Sequence, residues 1–153
     1  ASEISDSKVF GIDISSDALQ IAEENKSRLN LENIFFAMVD ILAEVPDIPS
    51  KKYDLMVSNP PYISIDEMRY LSKDIKNFEP HIALTDFRDG LIFYRRFAEL
   101  GRKIVKLNGW IILEVGLRSH PNEFLSIFKN SNYRNPELLK DFNGDNRVLI
   151  AQV

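Results

Sequence analysis

The sequence contains no cysteine and only two histidines among its 153 residues. The absence of cysteine excludes disulfide bonds and thiolate metal sites. His81 and His120 are isolated in the sequence, so we interpret each as a local hydrogen-bonding group rather than as a catalyst. We therefore expect no metal site.

Long apolar segments are also absent. No apolar run approaches the roughly 20 residues that span a bilayer, and the N-terminus lacks the basic and then apolar segments of an export leader. A chain of this length, with 44% hydrophobic and 27% charged residues, is typical of one soluble globular domain. The sequence thus predicts a cytoplasmic protein that does not enter a membrane.

The sequence has no excess of positive charge, and its formal net charge is −4. A protein that binds duplex nucleic acid mainly through phosphates is usually basic, so this mode of binding is disfavoured. Arg88, Arg95 and Arg102 recur every seven residues. We interpret them as the solvated face of one helix.

Short segments rich in β-branched and aromatic residues alternate with longer segments of helical periodicity. The predicted strands are residues 8–14, 33–39, 53–58, 110–115, 136–141 and 147–153. Helices are predicted from Ser15-Ser16, which can cap the first turn, to about residue 29, and from Asp89-Gly90 to a stop at Asn108-Gly109. The apolar face of the second of these helices, which includes Tyr94, is interpreted as core. Further helices are predicted over residues 121–130 and briefly near 66–71, within the otherwise irregular segment 63–87. The alternation predicts an α/β fold with a mostly parallel sheet, and the loop at residues 143–146 predicts a hairpin that adds an antiparallel C-terminal strand.

Three polar residues stand where predicted strands end: Asp13, Asp40 and Asn59. The carboxyl ends of parallel strands lie along one edge of a sheet, where such folds bind ligands, and an acidic residue near the end of the second strand commonly binds ribose hydroxyls. Each residue taken singly could equally be a turn or helix cap. Together they favour an edge that binds a ribose and a base.

The sequence Asn59-Pro60-Pro61-Tyr62, called the NPPY loop below, directly follows the third predicted strand. Its two prolines fix two φ angles and remove two backbone donors, and Pro60 holds Asn59 in an extended conformation. The loop thus offers the Asn59 side-chain oxygen, the Pro60 carbonyl and the Tyr62 ring. Two acceptors and a ring suit a planar NH2 group, although a tight turn after a strand would also fit the bare tetrapeptide.

The NPPY loop resembles the catalytic motif of S-adenosylmethionine-dependent methyltransferases that act on planar amine or amide nitrogens. Further segments resemble the HemK/PrmC family, the N5-glutamine methyltransferases of peptide-chain release factors. These segments are Gly11-Ile12-Asp13-Ile14-Ser15, Phe78-Glu79-Pro80 with Ala83-Leu84, Asp89-Gly90-Leu91, Leu113-Glu114-Val115-Gly116 and Gly144-Asp145-Asn146-Arg147-Val148. Their order and spacing match over essentially the whole chain.

The resemblance implies a Rossmann-like class I methyltransferase fold and S-adenosylmethionine as cofactor. By position, Asp13 would hold the cofactor ribose, Asp40 and Ile41 would flank the adenine, and Asn59 with Pro60 would receive the glutamine amide of a release factor. Many relatives carry an aromatic residue in place of Ile41, which implies weaker stacking on the adenine. Glu114 either orients the loops around the substrate or is a paired carboxylate at a strand end.

Two other functions remain open at this point. The NPPY motif is shared with adenine and guanine N-methyltransferases, so nucleic acid is an alternative substrate. The chain could also be a catalytically silent fragment that does not bind cofactor.

The N-terminus departs from the family pattern. Family members carry a helical substrate-recognition domain, then a first strand and a glycine-rich loop, and nothing here resembles that strand or loop. We therefore expect residues 1–153 to form a partial catalytic domain with two unpaired strand edges, an aggregation-prone arrangement. The chain would be a fragment or proteolytic product, or a second copy would fill the gap by strand exchange or dimerisation.

Overall fold

A computed structural model describes residues 1–47, 52–116 and 121–153. The chain divides into two compact units, Ala1–Pro49 and Ser50–Val153. None of the described helices is long and apolar enough to cross a membrane.

The first unit is a β-α-β arrangement formed by strand β1 (Val9–Asp13), helix α1 (Ser16–Arg28) and strand β2 (Ile34–Met38). The strands are parallel and in register from Val9 opposite Ile34 to Asp13 opposite Met38. The predicted helix cap is confirmed, since the Ser15 hydroxyl accepts a hydrogen bond from the Ala18 N–H at 3.2 Å.

The second unit contains a four-stranded sheet in the order β3-β4-β6-β5. Its strands are β3 (Tyr53–Ser58), β4 (Val105–Glu114), β5 (Arg134–Lys140) and β6 (Asn146–Gln152). Strand β3 is parallel to β4, whereas β6 is antiparallel to both β4 and β5. The predicted α/β class and C-terminal hairpin are confirmed. The sheet was predicted to be mostly parallel, whereas the described strands form two parallel and two antiparallel pairings.

Helix α4 (Ile92–Ile104) ends earlier than predicted, and β4 begins earlier. The sequence predicted a helix up to Asn108-Gly109 and a strand from Trp110. In the structure Val105 is already paired with Tyr53, and the register then skips to Trp110 opposite Leu55. This pairing converts the end of the helical pattern into a bulged strand, in which Asn108 has a positive φ of 67°.

The segment predicted to be irregular, residues 63–87, contains three short helices. A 3-10 helix covers Glu67–Tyr70, as expected near 66–71, and α2 (Lys73–Phe78) and α3 (His81–Leu84) were not predicted. Helices of four to six residues are too short to show a helical period. Ser72 caps α2 by accepting a hydrogen bond from the Ile75 N–H at 3.4 Å.

The buried core belongs to the second unit. Helices α4 and α5 (Pro121–Asn130) supply Tyr94, Leu100, Phe124 and Phe128, and the Tyr94 and Phe124 rings lie 4.4 Å apart. Strands β4 and β6 supply the facing apolar side chains, which include Ile111, Leu113, Leu149 and Ala151. In the first unit, by contrast, Pro46 is the only described residue that is buried.

Strands β1 and β3 each lie at the edge of a sheet, and β3 carries exposed apolar side chains. Among the described residues, β1 pairs only with β2, and β3 pairs only with β4. On β3, Leu55 and Val57 are 48% and 64% exposed. Such edges can accept a further strand.

Substitution of Phe124 by alanine should destabilise the second unit by about 3–5 kcal/mol, because the ring is fully buried and its removal leaves a cavity. The matched control is Phe142→Ala, since Phe142 is fully exposed, and its effect should stay within about 0.5 kcal/mol. Urea unfolding followed by circular dichroism measures both effects. Equal effects of the two substitutions would contradict this description of the core.

Candidate functional site

The NPPY loop begins where β3 ends, with Ser58 paired to Leu113 of β4. Asn59 is exposed and Pro60 is buried. Within the described part of the chain, neither the Asn59 side chain nor the Pro60 carbonyl takes part in a hydrogen bond. Both acceptors that the sequence indicated are therefore available to a ligand.

The residues that follow the NPPY loop are hydrogen-bonded through their backbone to the segment before α4. The Ile63 N–H donates to the Leu84 carbonyl at 3.0 Å, and the Ile65 N–H donates to the Arg88 carbonyl at 2.9 Å. Ile63 also forms a parallel bridge with Thr85. The Ala-Leu segment that resembles the glutamine methyltransferases thus supports the NPPY loop through its backbone.

Tyr62 reaches the end of the neighbouring strand. Its hydroxyl donates to Oε1 of the half-buried Glu114 at a long distance of 3.4 Å. The Tyr94 hydroxyl donates to the Glu114 carbonyl at 2.6 Å, which fixes the backbone at this point. Of the two roles predicted for Glu114, the structure shows a strand-end carboxylate whose partner is the NPPY tyrosine.

The electrostatics of this corner are dominated by burial. Desolvation raises the pKa of Tyr62, and the negative charge of Glu114 raises it further, while Arg147 acts in the opposite direction. Burial also raises the pKa of Tyr94. Both phenols are therefore neutral at physiological pH and act as hydrogen-bond donors.

Arg147 and Tyr94 are residues of this corner whose roles the sequence reasoning missed. Arg147 forms an ion pair with Asp141 at 3.4 Å, and its backbone carbonyl accepts a hydrogen bond from the Val115 N–H. Tyr94 was assigned to the core from its helical spacing. That spacing does not indicate that the Tyr94 hydroxyl also donates a hydrogen bond to the Glu114 carbonyl. The family resemblance singled out the segment 144–148, but the residue types of this segment did not predict that Arg147 lies near Tyr62.

The first unit carries three of the four residues predicted to bind cofactor, Asp13, Asp40 and Ile41, whereas the fourth, Asn59, belongs to the NPPY loop of the second unit. Asp13 ends β1, and its carbonyl accepts a hydrogen bond from the Val39 N–H at 3.0 Å, directly before Asp40. The structure therefore brings the ends of these two parallel strands together, as predicted. Ile41 follows in a turn and is half-buried.

Asp13 and Asp40 each use one carboxylate oxygen locally. Oδ1 of Asp13 accepts from the Ser15 N–H at 2.8 Å, and Oδ1 of Asp40 accepts from the Leu42 N–H at 2.9 Å. These bonds confirm the alternative that both residues cap local turns. They leave the second oxygen of each carboxylate available to a ligand, so capping and ligand binding are compatible.

Metal ligation is not indicated by side-chain geometry. Within residues 1–47, 52–116 and 121–153, no group of three or more His, Asp or Glu side chains could hold a metal ion. The His81 Nε2–H donates a hydrogen bond to the Lys76 carbonyl oxygen at 3.1 Å. His120 lies outside the described residues.

Comparison with known proteins identifies the kind of domain to which this geometry belongs. A family model described as "Methyltransferase domain" matches residues 1–96. Release factor glutamine methyltransferase of Fusobacterium nucleatum is 38% identical over 152 residues, which cover 99% of this chain and 42% of that protein. The protein of the same name from Clostridium acetobutylicum is 40% identical over 146 residues, covering 95% of this chain and 51% of that protein.

These relatives carry the name predicted from the sequence motifs, and the chain spans about half the length of the curated relatives it matches. A crystal structure of a SAM-dependent methyltransferase from Aquifex aeolicus is also similar, with a TM-score of 0.63 at 13% identity over 95% of this chain and 69% of that chain. At this identity the likeness shows the fold, and the predicted methyltransferase fold is confirmed.

Replacement of Glu114 by glutamine should lower the pKa of the Tyr62 phenol, because it removes a negative charge that disfavours the phenolate. The pKa should remain above the ordinary value of 10.0, since desolvation is the larger cause. Alkaline absorbance titration, compared with the Tyr62→Phe counterpart of each protein, isolates this phenol. Glu137→Gln, on exposed β5, is the control and should leave the pKa unchanged.

The same shift fixes the sign of a pH effect on stability. The folded protein holds the Tyr62 proton more tightly than the unfolded chain, so this contribution is complete below the unfolded value of 10.0 and is lost as the pH rises through the folded pKa. An unchanged Tyr62 pKa in Glu114→Gln would mean that the carboxylate does not act on the phenol.

Proposed function

Because the chain belongs to the methyltransferase-domain family, we propose that it is the catalytic part of an S-adenosylmethionine-dependent methyltransferase acting on a glutamine side-chain amide of a peptide-chain release factor. The observation that carries this proposal is the NPPY loop, which presents two unused acceptors beside an aromatic ring. The names of the curated relatives support the choice of acceptor. Such an enzyme would work in the cytoplasm, where its substrate is found.

The two acceptors match the two hydrogens of an amide nitrogen. The Asn59 side-chain oxygen and the Pro60 carbonyl would each accept one N–H, while the Tyr62 ring packs against the planar group. This arrangement orients the nitrogen lone pair out of the amide plane. An isolated amide is a poor nucleophile because that lone pair is delocalised, so orientation is the contribution that the acceptor needs most.

When bound, S-adenosylmethionine supplies a methyl group on a positively charged sulfur, which is an activated leaving group. The cofactor would supply this methyl group, the Asn59 side chain and the Pro60 carbonyl would hold the amide nitrogen that receives it, and that nitrogen would give up one proton. Asn59 cannot act as a base, so its role is to hold and polarise the NH2 group. Alignment of reacting groups alone can contribute about 7–11 kcal/mol to such a step.

Three of the residues that would hold the cofactor lie in the first unit. Asp13 would accept hydrogen bonds from the ribose hydroxyls through its second carboxylate oxygen, and Asp40 with Ile41 would flank the adenine. The neighbouring ends of β1 and β2 support this assignment, because ligands of parallel sheets bind at the carboxyl ends of strands.

The surface around the NPPY loop favours a protein acceptor over nucleic acid. Residues 63–88 contain five acidic and four basic residues, so they form no basic track for phosphates. The same segment exposes large apolar side chains, namely Ile65, Tyr70, Ile75, Phe78, Ile82 and Phe87. Exposed apolar and aromatic side chains are typical of protein-binding surfaces.

Strands β1 and β3 are each unpaired along one side, which bears on whether this chain is active by itself. In the active protein, β1 and β3 would pair with strand segments supplied by the rest of a longer polypeptide, since the curated relatives are about twice as long. A second copy of the chain that supplies these segments is the alternative, and size-exclusion chromatography with light scattering separates the two. The partial domain is thus proposed to be incomplete for catalysis.

Replacement of Asn59 by alanine should lower kcat for methyl transfer by about 100-fold or more, because it removes a group aimed at the reacting nitrogen. Cofactor affinity should fall far less. The assay follows labelled methyl transfer from S-adenosylmethionine to a release factor by the longest protein that contains this chain. The exposed Asn130→Ala at the end of α5 is the control and should keep full activity.

The acceptor is tested in the same assay. A release factor with its target glutamine replaced should accept no label, and RNA and DNA should accept none either. Transfer to nucleic acid but not to the release factor would overturn the proposed substrate. Unchanged turnover in Asn59→Ala would overturn the proposed role of the NPPY loop.

Replacement of Asp13 or of Asp40 by alanine should weaken binding of S-adenosylhomocysteine by about 10–100-fold, the effect of losing a hydrogen bond to a charged group. Titration calorimetry on the longer protein measures this affinity. The control is Asp6→Asn, an exposed carboxylate in the same unit, which should bind normally. Normal affinity in both the Asp13 and the Asp40 variants would remove the cofactor site from these strand ends.

A further inference from the structure

Asp86 is a buried carboxylate in the turn between α3 and α4, and none of the proposed chemistry uses it. It is 9% exposed. Its Oδ1 accepts hydrogen bonds from the Arg88 N–H at 2.8 Å and the Gly90 N–H at 3.0 Å, and its Oδ2 accepts from the Ile92 N–H at 3.1 Å. One side chain therefore organises the whole turn.

The Ile92 bond ties this turn to the core. Ile92 is the first residue of α4, and Leu91, which precedes it, provides no side-chain cap. Asp86 thus satisfies a donor that the helix leaves unpaired. Because Tyr94 and Leu100 of the same helix are fully buried, the position of the Asp86 carboxylate is set by the core.

The Gly90 bond ties the turn to the NPPY loop. Gly90 has a positive φ of 79°, and a Cβ atom at this position would lie 2.5 Å from the Tyr62 carbonyl oxygen. The backbone at Gly90 is therefore in direct contact with the backbone of Tyr62. Any displacement of Gly90 must also displace Tyr62, because the space between these two backbone segments is too small for a methyl group.

The third bond of Asp86 completes the connection. Arg88, whose N–H donates to Asp86, accepts through its carbonyl the hydrogen bond from Ile65. The segment that follows the NPPY loop is thus held at Ile65 by the same turn whose Gly90 contacts the Tyr62 backbone. Through Gly90 and Arg88, the carboxylate acts at two points on one loop.

We propose that Asp86 is a positioning residue for methyl transfer, which sets the NPPY loop against the core through Gly90 and Arg88. The inference rests on the proposed function, since it assigns to Asp86 the alignment of the acceptor nitrogen. Asp86 touches neither substrate nor cofactor. Its effect should appear in turnover, because a misplacement of about 1 Å can cost about 100-fold in rate.

The test replaces Asp86 by asparagine in the longest protein that contains this chain. Asparagine keeps the size of the side chain but offers one acceptor oxygen where the turn needs two. We expect kcat towards the release factor to fall at least about tenfold, while the dissociation constant for S-adenosylhomocysteine changes less than about twofold. A merely structural role would lower kcat and the number of S-adenosylhomocysteine binding sites together, in proportion to the fraction of unfolded protein.

Amide hydrogen exchange supplies a readout that does not depend on activity. In Asp86→Asn, exchange at the Ile63 and Ile65 N–H groups should accelerate, while exchange at Leu149 in the core strand β6 stays unchanged. Acceleration over the whole second unit, or only in the first turn of α4, would overturn the proposal.

Asp89→Asn is the matched control. Asp89 lies in the same turn, accepts a hydrogen bond from the Leu91 N–H at 3.1 Å and pairs with Arg95 at 2.6 Å. Its carboxylate accepts from neither Arg88 nor Gly90, the two residues through which Asp86 acts on residues 62–65. Its substitution should leave kcat and the exchange of Ile63 and Ile65 near wild type. An equal loss in both variants would overturn the specific role of Asp86.

A second variant keeps the test decisive if Asp86→Asn does not fold. Gly90→Ala retains the carboxylate but pushes a methyl group towards the Tyr62 carbonyl, so it should reproduce the loss in kcat and the faster exchange at Ile63. Normal values of both would overturn the proposal. If the wild-type protein does not methylate the release factor, the proposed function is wrong, and the exchange comparison still decides the role of Asp86.

Discussion

The backbone of the NPPY loop depends on hydrogen bonds made on either side of it, because its two prolines have no N–H groups to donate. Upstream, the pairing of Ser58 with Leu113 fixes where the loop starts. Downstream, the next backbone hydrogen bonds come from the N–H groups of Ile63 and Ile65, which donate to the Leu84 and Arg88 carbonyls. The same lack of donors that frees the Pro60 carbonyl for a ligand makes the loop dependent on its neighbours.

This dependence accounts for segments distant in sequence from the NPPY loop that also carry the family resemblance. In Ala83-Leu84 and Asp89-Gly90, it is Leu84 and Gly90 whose backbones contact residues 62 and 63. Leu84 provides a carbonyl, and Gly90 provides an approach too close for any side chain. Motifs of this kind report the geometry that the acceptor loop requires, rather than groups that touch the substrate.

Local signals in the sequence predicted those features whose cause is itself local. Strand β3 and helix α5 were predicted at their observed bounds, and Ser15 was predicted as a cap, because period and capping chemistry are encoded within each segment. The end of α4 was predicted wrongly, since the pairing of Val105 with Tyr53 depends on a strand about 50 residues away. The connection of Asp86 to the NPPY loop was missed for the same reason. Its hydrogen bonds are local, and they bear on the loop only through the contact between the Gly90 and Tyr62 backbones.

The proposed chemistry and this architecture are consistent with each other. The NPPY loop contains one titratable group, Tyr62, and burial together with Glu114 keeps that phenol protonated. A positively charged sulfur leaves without help from an acid, so the protein does not need a general acid at this point. Its contribution must then be alignment, which requires that the loop be fixed to the core. The buried carboxylate of Asp86, which connects the first turn of α4 to the backbone of the NPPY loop, would meet that requirement. Core packing would then limit the movement of the reacting nitrogen.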